Sequence, residues 1–374
     1  ALEQWPESGV PDNPGAWLMA TAKHRAIDLV RRRETYARKL AEMGRDLDTV
    51  SGEPDPDAAD PDRIDDDLLR LIFTSCHPVL STDARIALTL RLLGGLTTGE
   101  IARAFLTTEP AVAQRIVRAK RSLGRAGVPF EVPYGPERAA RLGSVLEVIY
   151  LVFNEGYAAT AGDDWLRPGL CEDALRLARV LAGLMPGEAE VHGLAALLEL
   201  QAARTAARTA PDGTPVLLAG QNRARWDRLL IRRGYAALLR ASETAAEAGQ
   251  ALGPYALQAA IAACHARAAR YEDTDWAAIA ALYDRLAALT PSPVVELNRA
   301  VAVSMAEGPA AALALVDALA ADPALTAYHL LPSVRGDLLE RLGRTDEARA
   351  EFVRAAELTR NERERALLLD RAGR

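Results

Sequence analysis

The chain has 374 residues, 49% hydrophobic, 26% charged and only 5% aromatic, with 26 Gly, 21 Pro and a formal net charge of −6. No uninterrupted apolar stretch approaches the roughly 18 residues of a membrane span, and no charged-then-apolar signal segment opens the chain, which excludes an integral membrane protein. Three scattered cysteines, Cys76, Cys171 and Cys264, do not make a disulfide scaffold and point to a reducing compartment. At about 150 residues per domain there is room for two or three domains, and a composition dominated by Ala, Leu and Arg favours helix over strand. Ala1 is not an initiator methionine, so the visible start need not be the start of the gene product.

Taken in order, the chain opens on a basic module. Residues 20–45 hold eight Lys or Arg against three acids, and Trp17, Leu18, Ile27 and Val30 are spaced as a helix core. Residues 46–67 reverse the sign, with ten acids against Arg63 alone. Rich in Pro and Gly and poor in large apolar residues, the stretch Gly44–Asp62 reads as a self-repelling flexible linker. Ile64, Leu68, Leu71 and Ile72 then repeat at helical spacing, and His77-Pro78 ends that helix because proline disfavours the helical conformation in the residue before it. Ser81 is positioned to cap a second helix that runs to about Leu93 and stops at Gly94-Gly95.

Thr97-Thr98-Gly99-Glu100 matches a capping box and starts a short helix that ends near Leu106-Thr107. A longer helix follows Thr108 and extends to Gly124, with Val112, Ile116, Ala119 and Leu123 on one stripe. Glu109, Gln114, Arg115, Arg118 and Arg121 are left on the outer surface. A short capped helix, a tight turn and a longer helix with basic outer residues is the pattern of a helix-turn-helix. Nine basic residues against three acids in 68–129 give that segment the charge of a polyanion binder.

From about Phe130 the sequence is helix after helix, turning at Arg167-Pro168-Gly169, Met185-Pro186-Gly187 and Thr290-Pro291-Ser292-Pro293. Gly336, Gly343, Ala348, Phe352 and Ala355 fall where a tetratricopeptide repeat of about 34 residues wants its small and aromatic positions. One repeat earlier Gly308 and Ala320 fit, whereas Leu313 and Asp317 do not. The pattern implies an α-solenoid. Cys76-His77 and Cys264-His265 lack any standard metal-ligand spacing and read as buried cysteines and satisfied core histidines. Asn154-Glu155 and Asp163-Asp164 read as caps or bridges between helices, since no nucleophile or glycine-rich phosphate loop accompanies them. No catalytic residue, metal site or cofactor is expected, and the protein is expected not to be an enzyme.

Leu96–Phe105 and Ala113–Arg121 together resemble region four of extracytoplasmic-function sigma factors. Upstream, Asn13–Leu18, Ala26-Ile27-Asp28 and Arg31-Arg32-Arg33 resemble the end of region two. Downstream, Leu146–Tyr157 and Gly253–Ala266 resemble the C-terminal extension of the subgroup with a tetratricopeptide-like domain. The resemblance implies an all-α chain. Its parts are the end of region two (1–45), an acidic linker (46–63), a helix-turn-helix region four (64–129) and a C-terminal helical-repeat extension (130–374). It further implies a promoter-specificity subunit of bacterial RNA polymerase, cytoplasmic and nucleoid-associated; the repeat domain is expected to be regulatory, by packing on the DNA-binding modules, by stabilising the complex with polymerase, or by docking a protein partner.

Carried over residue by residue, Asn13, Lys23, His24, Arg25, Arg31 and Arg32 face the −10 promoter element, with the loop Pro6–Gly15 near a flipped base. On the −35 side, Gln114, Arg115 and Arg118 read base edges, while Lys120 and Arg121, with Arg85 and Arg91, contact phosphates. The implied partners are core RNA polymerase and promoter DNA, with no membrane. Two departures stand out. The family usually has Asn where this chain has His24, and region two normally begins several helices earlier, so Ala1–Trp5 read as the tail of that bundle. The rival reading is a helix-turn-helix activator with a repeat-type sensor domain.

Overall fold

Residues 61–105, 107–159, 161–162 and 165–373 are described by the computed structural model, and they are almost entirely helical. The basic opening module, the acidic stretch as far as Asp60, the −10-side residues Asn13, Lys23, His24, Arg25, Arg31 and Arg32, and the pair Asp163-Asp164 lie outside the described residues. The chain divides into two units, the first reaching Arg141 except for Ala104–Leu106, which group with the second, and the second otherwise running from Leu142.

In the first unit, α1 (Pro61–Ser75) stops at Cys76-His77-Pro78, and the freed backbone is tied off locally as Val79 N–H donates to His77 Nδ1 at 3.1 Å. Helix α2 (Thr82–Leu92) begins behind Ser81, which takes the extended N-cap conformation but makes no capping bond through its hydroxyl. Leu93 closes α2, and Gly95 follows at φ +76, a left-handed conformation that only glycine adopts without strain. The capping box is realised in both directions. Thr97 Oγ1 accepts from Glu100 N–H at 3.1 Å while Glu100 Oε2 accepts from Thr97 N–H at 2.7 Å, and α3 (Thr98–Ala104) starts there. Helix α4 (Glu109–Arg125) is capped by Thr108, whose hydroxyl accepts from Ala111 N–H. Its buried residues are the expected stripe Val112, Ile116, Ala119 and Leu123. Helix α4 packs on α2, and Leu88 and Leu90 of α2, with Phe73 of α1 and Ile101 of α3, are buried as well.

The second unit takes in most of α5 (Gly135–Tyr157), then α6 (Pro168–Leu184), α7 (Ala189–Ala202), α8 (Arg228–Glu247) and α9 (Pro254–Arg267). It continues with α10 (Trp276–Leu289), α11 (Pro293–Ala306), α12 (Pro309–Leu319), α13 (Leu330–Arg341), α14 (Thr345–Leu358) and α15 (Glu362–Ala372). From α6 onward each helix packs on the next, and α7 touches α6, α8 and α9. Helix α7 accordingly buries every residue from Val191 to Leu200, as a helix enclosed on all sides must. Its Gly193 lies under the start of α9: a Cβ there would sit 2.7 Å from the Ala256 nitrogen. Glu190, one turn earlier, caps α9 from outside by accepting from Tyr255 N–H at 2.8 Å and Ala256 N–H at 3.1 Å. Desolvation raises the Glu190 carboxyl above its ordinary range, and these two hydrogen bonds pull against that shift.

The pair α13–α14 has the packing that the small and aromatic positions imply. Phe352 lies 1% exposed over Gly336, where a Cβ would meet its ring at 2.8 Å, Gly343 turns the chain at φ +75, and Ala348 and Ala355 are buried. The preceding pair α11–α12 turns at Gly308, φ +106, but buries Leu313 and leaves Asp317 exposed to bind Arg335 at 2.8 Å. Two residues of strand, β1 (Ala161–Gly162), pair in parallel with β2 (Arg360–Asn361), the only sheet among the described residues. Asn361 reinforces the pair, donating from Nδ2 to the Ala159 carbonyl at 3.0 Å while its Oδ1 accepts from Arg363 and Glu364 N–H to cap α15. The chain corners at Arg167-Pro168, Met185–Gly187 and Thr290–Pro293 fall between helices.

Candidate nucleic-acid interface

The helix-turn-helix is built by two local devices. The Thr97–Glu100 box fixes where α3 begins, and Thr98 Oγ1 donates to Glu109 Oε1 at 2.6 Å, tying the first turn of α3 to the first turn of α4. Glu109 is therefore exposed yet employed, holding the angle of the turn. With its apolar stripe facing inward, α4 presents Gln114, Arg118 and Arg121 outward, all exposed. At 100° per residue these three share the arc opposite the buried stripe, while Arg115 and Lys120 flank that stripe on either side.

The flanking positions behave differently from the outer ones. Arg115 is half-buried and leans on Asp83 of α2, 3.5 Å away, with the Asp83 side chain largely exposed. Lys120 is half-buried as well. Arg118 folds back lightly, its Nε 3.4 Å from the Gln114 carbonyl of its own helix. The outer face thus offers an amide and two guanidiniums, donors that suit base edges and phosphates in a major groove. Val117, 47% exposed, sits on the same outer side between Arg121 and Lys120. Charge-based reading of the sequence passed over it, because an isolated valine on a polar face carries no charge signal.

Two residues expected to meet phosphates are committed elsewhere. Arg85 is only 9% exposed and donates from Nη2 to Thr82 Oγ1 at 2.9 Å. Arg91 is half-buried and donates to the Leu96 carbonyl at 2.9 Å, closing the turn between α2 and α3. Both belong to the scaffold under the helix-turn-helix.

The remaining candidates resolve into structural roles. Cys76 is buried and its thiol meets Thr89 Oγ1 at 3.3 Å, so it joins α1 to α2. Cys264 is only half-buried, and His265, expected to be satisfied, has an Nδ1 without a partner. Desolvation, followed by the Arg204 and Arg223 charges, drives the His265 pKa down to about 4. Glu155 pairs with Arg167 across α5 and the start of α6, a bridge between helices. Burial pushes the Cys171 thiol up to about 12, leaving it an inert core residue. Among the described residues no cluster of three or more His, Cys, Asp or Glu could hold a metal ion, and no helix is long and apolar enough to cross a membrane.

Comparison with known proteins bears on both units. A family described as sigma-70, region 4 matches residues 70–123, which span the end of α1, α2, α3 and α4 almost to its end. A family of unknown function (DUF6596) matches residues 141–242. Over 370 residues the chain is 47% identical to the Rhizobium meliloti (strain 1021) protein named "Uncharacterized protein R00370", covering 98% of this chain and 85% of that protein. The protein therefore belongs to one family with the Rhizobium meliloti protein, and its residues 70–123, folded as a helix-turn-helix, are similar to sigma-70 region 4, which supports a sigma-factor-like DNA-binding role.

Proposed function

We propose that the protein is an alternative sigma factor of the extracytoplasmic-function type, which gives core RNA polymerase its promoter specificity and carries no catalytic chemistry or cofactor of its own. The observation that supports this best is the outer face of α4. Gln114, Arg118 and Arg121 stand clear of the core on a helix whose entry angle is fixed by the Thr97–Glu100 box and the Thr98–Glu109 bond. In this reading Gln114, Arg115 and Arg118 select the −35 element, and Lys120 and Arg121 hold the backbone. Val117 touches a thymine methyl. The −10 element falls to Asn13, Lys23, His24, Arg25, Arg31 and Arg32. The C-terminal helical unit, tetratricopeptide-like in its last helix pair, serves as a regulatory domain with a protein partner.

Run-off transcription on fragmented host DNA, with core polymerase and the full chain, tests the proposal. New discrete transcripts that require the protein, and that disappear with Arg115→Ala/Arg118→Ala, support it. Silence with core polymerase, alongside stimulation of holoenzyme already carrying another sigma factor, would replace it with a helix-turn-helix activator.

A further inference from the structure

The second unit holds a partly open cavity of about 180 Å3 lined from α5 by Tyr150, Asn154 and Tyr157, from α7 by Gln201, from α9 by Gln258 and from α10 by Tyr283. Phe153, Leu197 and Ile261 supply its apolar wall. A cavity of about 150 Å3 is enough for benzene, so the space takes a six-membered ring with one small substituent. No Asp, Glu, Lys or Arg lines it, and burial holds the Tyr283 phenol up to about 12, so it stays a hydrogen-bond donor.

The polar groups of the lining are unevenly used. Tyr150 donates to Gln258 Oε1 at 3.3 Å, and Gln258 Nε2 donates in turn to the Pro254 carbonyl at 3.2 Å. The Tyr157 hydroxyl, by contrast, is buried with no hydrogen-bond partner. A buried hydroxyl left unmatched is costly and rare in a folded protein. Behind it stands positive charge. The Arg208 guanidinium lies 3.6 Å from the Tyr157 ring centre, and Arg204 reaches Gln201 Oε1 at 3.4 Å and Gln221 Oε1 at 3.2 Å. Among the described residues both guanidiniums meet aromatic rings, amide oxygens and the Tyr157 carbonyl, and the Arg204 guanidinium is largely desolvated, with the charges of Arg208 and Arg223 also acting on it. Elsewhere in this unit Arg167, Arg179, Arg299, Arg335 and Arg371 each meet a carboxylate. Among the described residues Arg204 and Arg208 meet none, and Arg341, which donates to Ser304 Oγ, and Arg349, which donates to the Ala372 carbonyl, are like them in this.

We propose that this cavity is a binding site for a small ring-bearing carboxylate, its ring between Phe153, Leu197 and Ile261 and its anionic group accepting from the Tyr157 hydroxyl within the field of Arg204 and Arg208. The site makes the C-terminal unit a receptor for a metabolite-sized acid, whatever its effect on transcription. The Tyr157 phenol is the specific reporter, because it supplies a donor that the protein itself does not use.

Calorimetric titration of the full chain with benzoate, and in parallel with neutral benzamide, tests the assignment. The expected result is saturable one-to-one binding of benzoate, at least 10-fold tighter than benzamide. Tyr157→Phe, which removes only the hydroxyl, is expected to weaken benzoate at least 10-fold while the ligand-free variant melts no lower than wild type. Arg208→Gln is expected to erase the preference for benzoate over benzamide. No benzoate binding at millimolar concentration, equal binding of the two probes, or unchanged affinity in Tyr157→Phe would each overturn the proposal and leave the cavity to water. None of these readouts depends on the transcription assay.

Discussion

Gly193→Ala sets two effects against each other whose sizes follow from the structure. In a helix interior alanine outranks glycine by up to about 1 kcal/mol, so on α7 alone the change stabilises. The new methyl, however, would stand 2.7 Å from the Ala256 nitrogen and 3.0 Å from its Cα and Cβ. The nitrogen and Cα are backbone atoms of α9, and an alanine Cβ has no rotamer, so none of the three can swing aside. Overpacking of this kind costs about 1–3 kcal/mol. Separating α7 from α9 also strains the Glu190 clamp on Tyr255 and Ala256 N–H, and hydrogen bonds to a charged group contribute about 1.5–3 kcal/mol. The net expectation is a loss of about 2–4 kcal/mol. Gly143→Ala, on α5, is the matched control: a Cβ there meets nothing within 4 Å, so only the propensity gain remains. Urea and thermal unfolding followed by helical circular dichroism separates them. At about 2–4 °C per kcal/mol for a unit of this size, the two variants move Tm in opposite directions. A Gly193→Ala protein as stable as wild type would refute the claim that backbone contact, and not propensity, governs this helix crossing.

Three other expectations concern different parts of the chain. Thr97→Ala and Glu100→Ala each remove one half of the capping box and are expected to destabilise the first unit by about 1 kcal/mol. Because the halves serve each other, the double variant is expected to lose less than the sum, and a double-mutant cycle showing strict additivity would argue against the reciprocal geometry. His265 is held neutral, with a folded pKa of about 4 against an ordinary value of 6.5. Its unfolded form therefore binds the proton first, so stability is full above pH 6.5, falls as the pH drops, and has lost up to about 3 kcal/mol at pH 4. His265→Gln is expected to flatten that part of the curve in melts between pH 4 and 7, and an unchanged slope would show that other groups carry it. Asp83→Asn releases Arg115 from an exposed ion pair, and such pairs contribute about 0–1 kcal/mol to stability. Melting is expected to be unchanged while duplex affinity rises severalfold in gel shifts. No rise would mean that the 3.5 Å contact does not compete with DNA.

The first unit was legible where burial follows helical spacing. Val112, Ile116, Ala119 and Leu123 are four residues on one stripe, and a helix docked on a core buries its stripe whatever the details of the neighbours. The capping box was equally readable because its chemistry is local, spanning Thr97 to Glu100. Arg85 was misread for the opposite reason: an arginine counted by its charge looks exposed, and only the packing of α2 reveals that it is buried. Ser81 stands at an N-cap without capping, since the residue type permits the bond but the side-chain rotamer decides it. In the second unit the close crossing at the small positions could be foreseen from spacing, although Phe352, expected to fill the gap against the next repeat, lies on Gly336 of its own helix pair. The cavity could not, because its lining comes from four helices spread over more than a hundred residues, and no sequence period links Tyr157 to Tyr283. His265 shows the same limit, since its burial and the Arg204 and Arg223 charges that lower its pKa come from segments distant in the sequence.

The pairing of Ala161–Gly162 with Arg360–Asn361 has a thermodynamic meaning for the C-terminal unit. In an open array of stacked helices each pair depends only on its neighbours, so the last helices can fray while the first remain folded. Here the Asn361 side chain reaches back to the Ala159 carbonyl, 202 residues earlier in the sequence. Loosening α15 releases the start of the array as well as its end. The unit is thereby turned from a chain of semi-independent segments into a closed loop of dependencies. A disturbance at its carboxyl end is transmitted to the α5–α6 junction, beside Tyr157, without passing through the nine helices between.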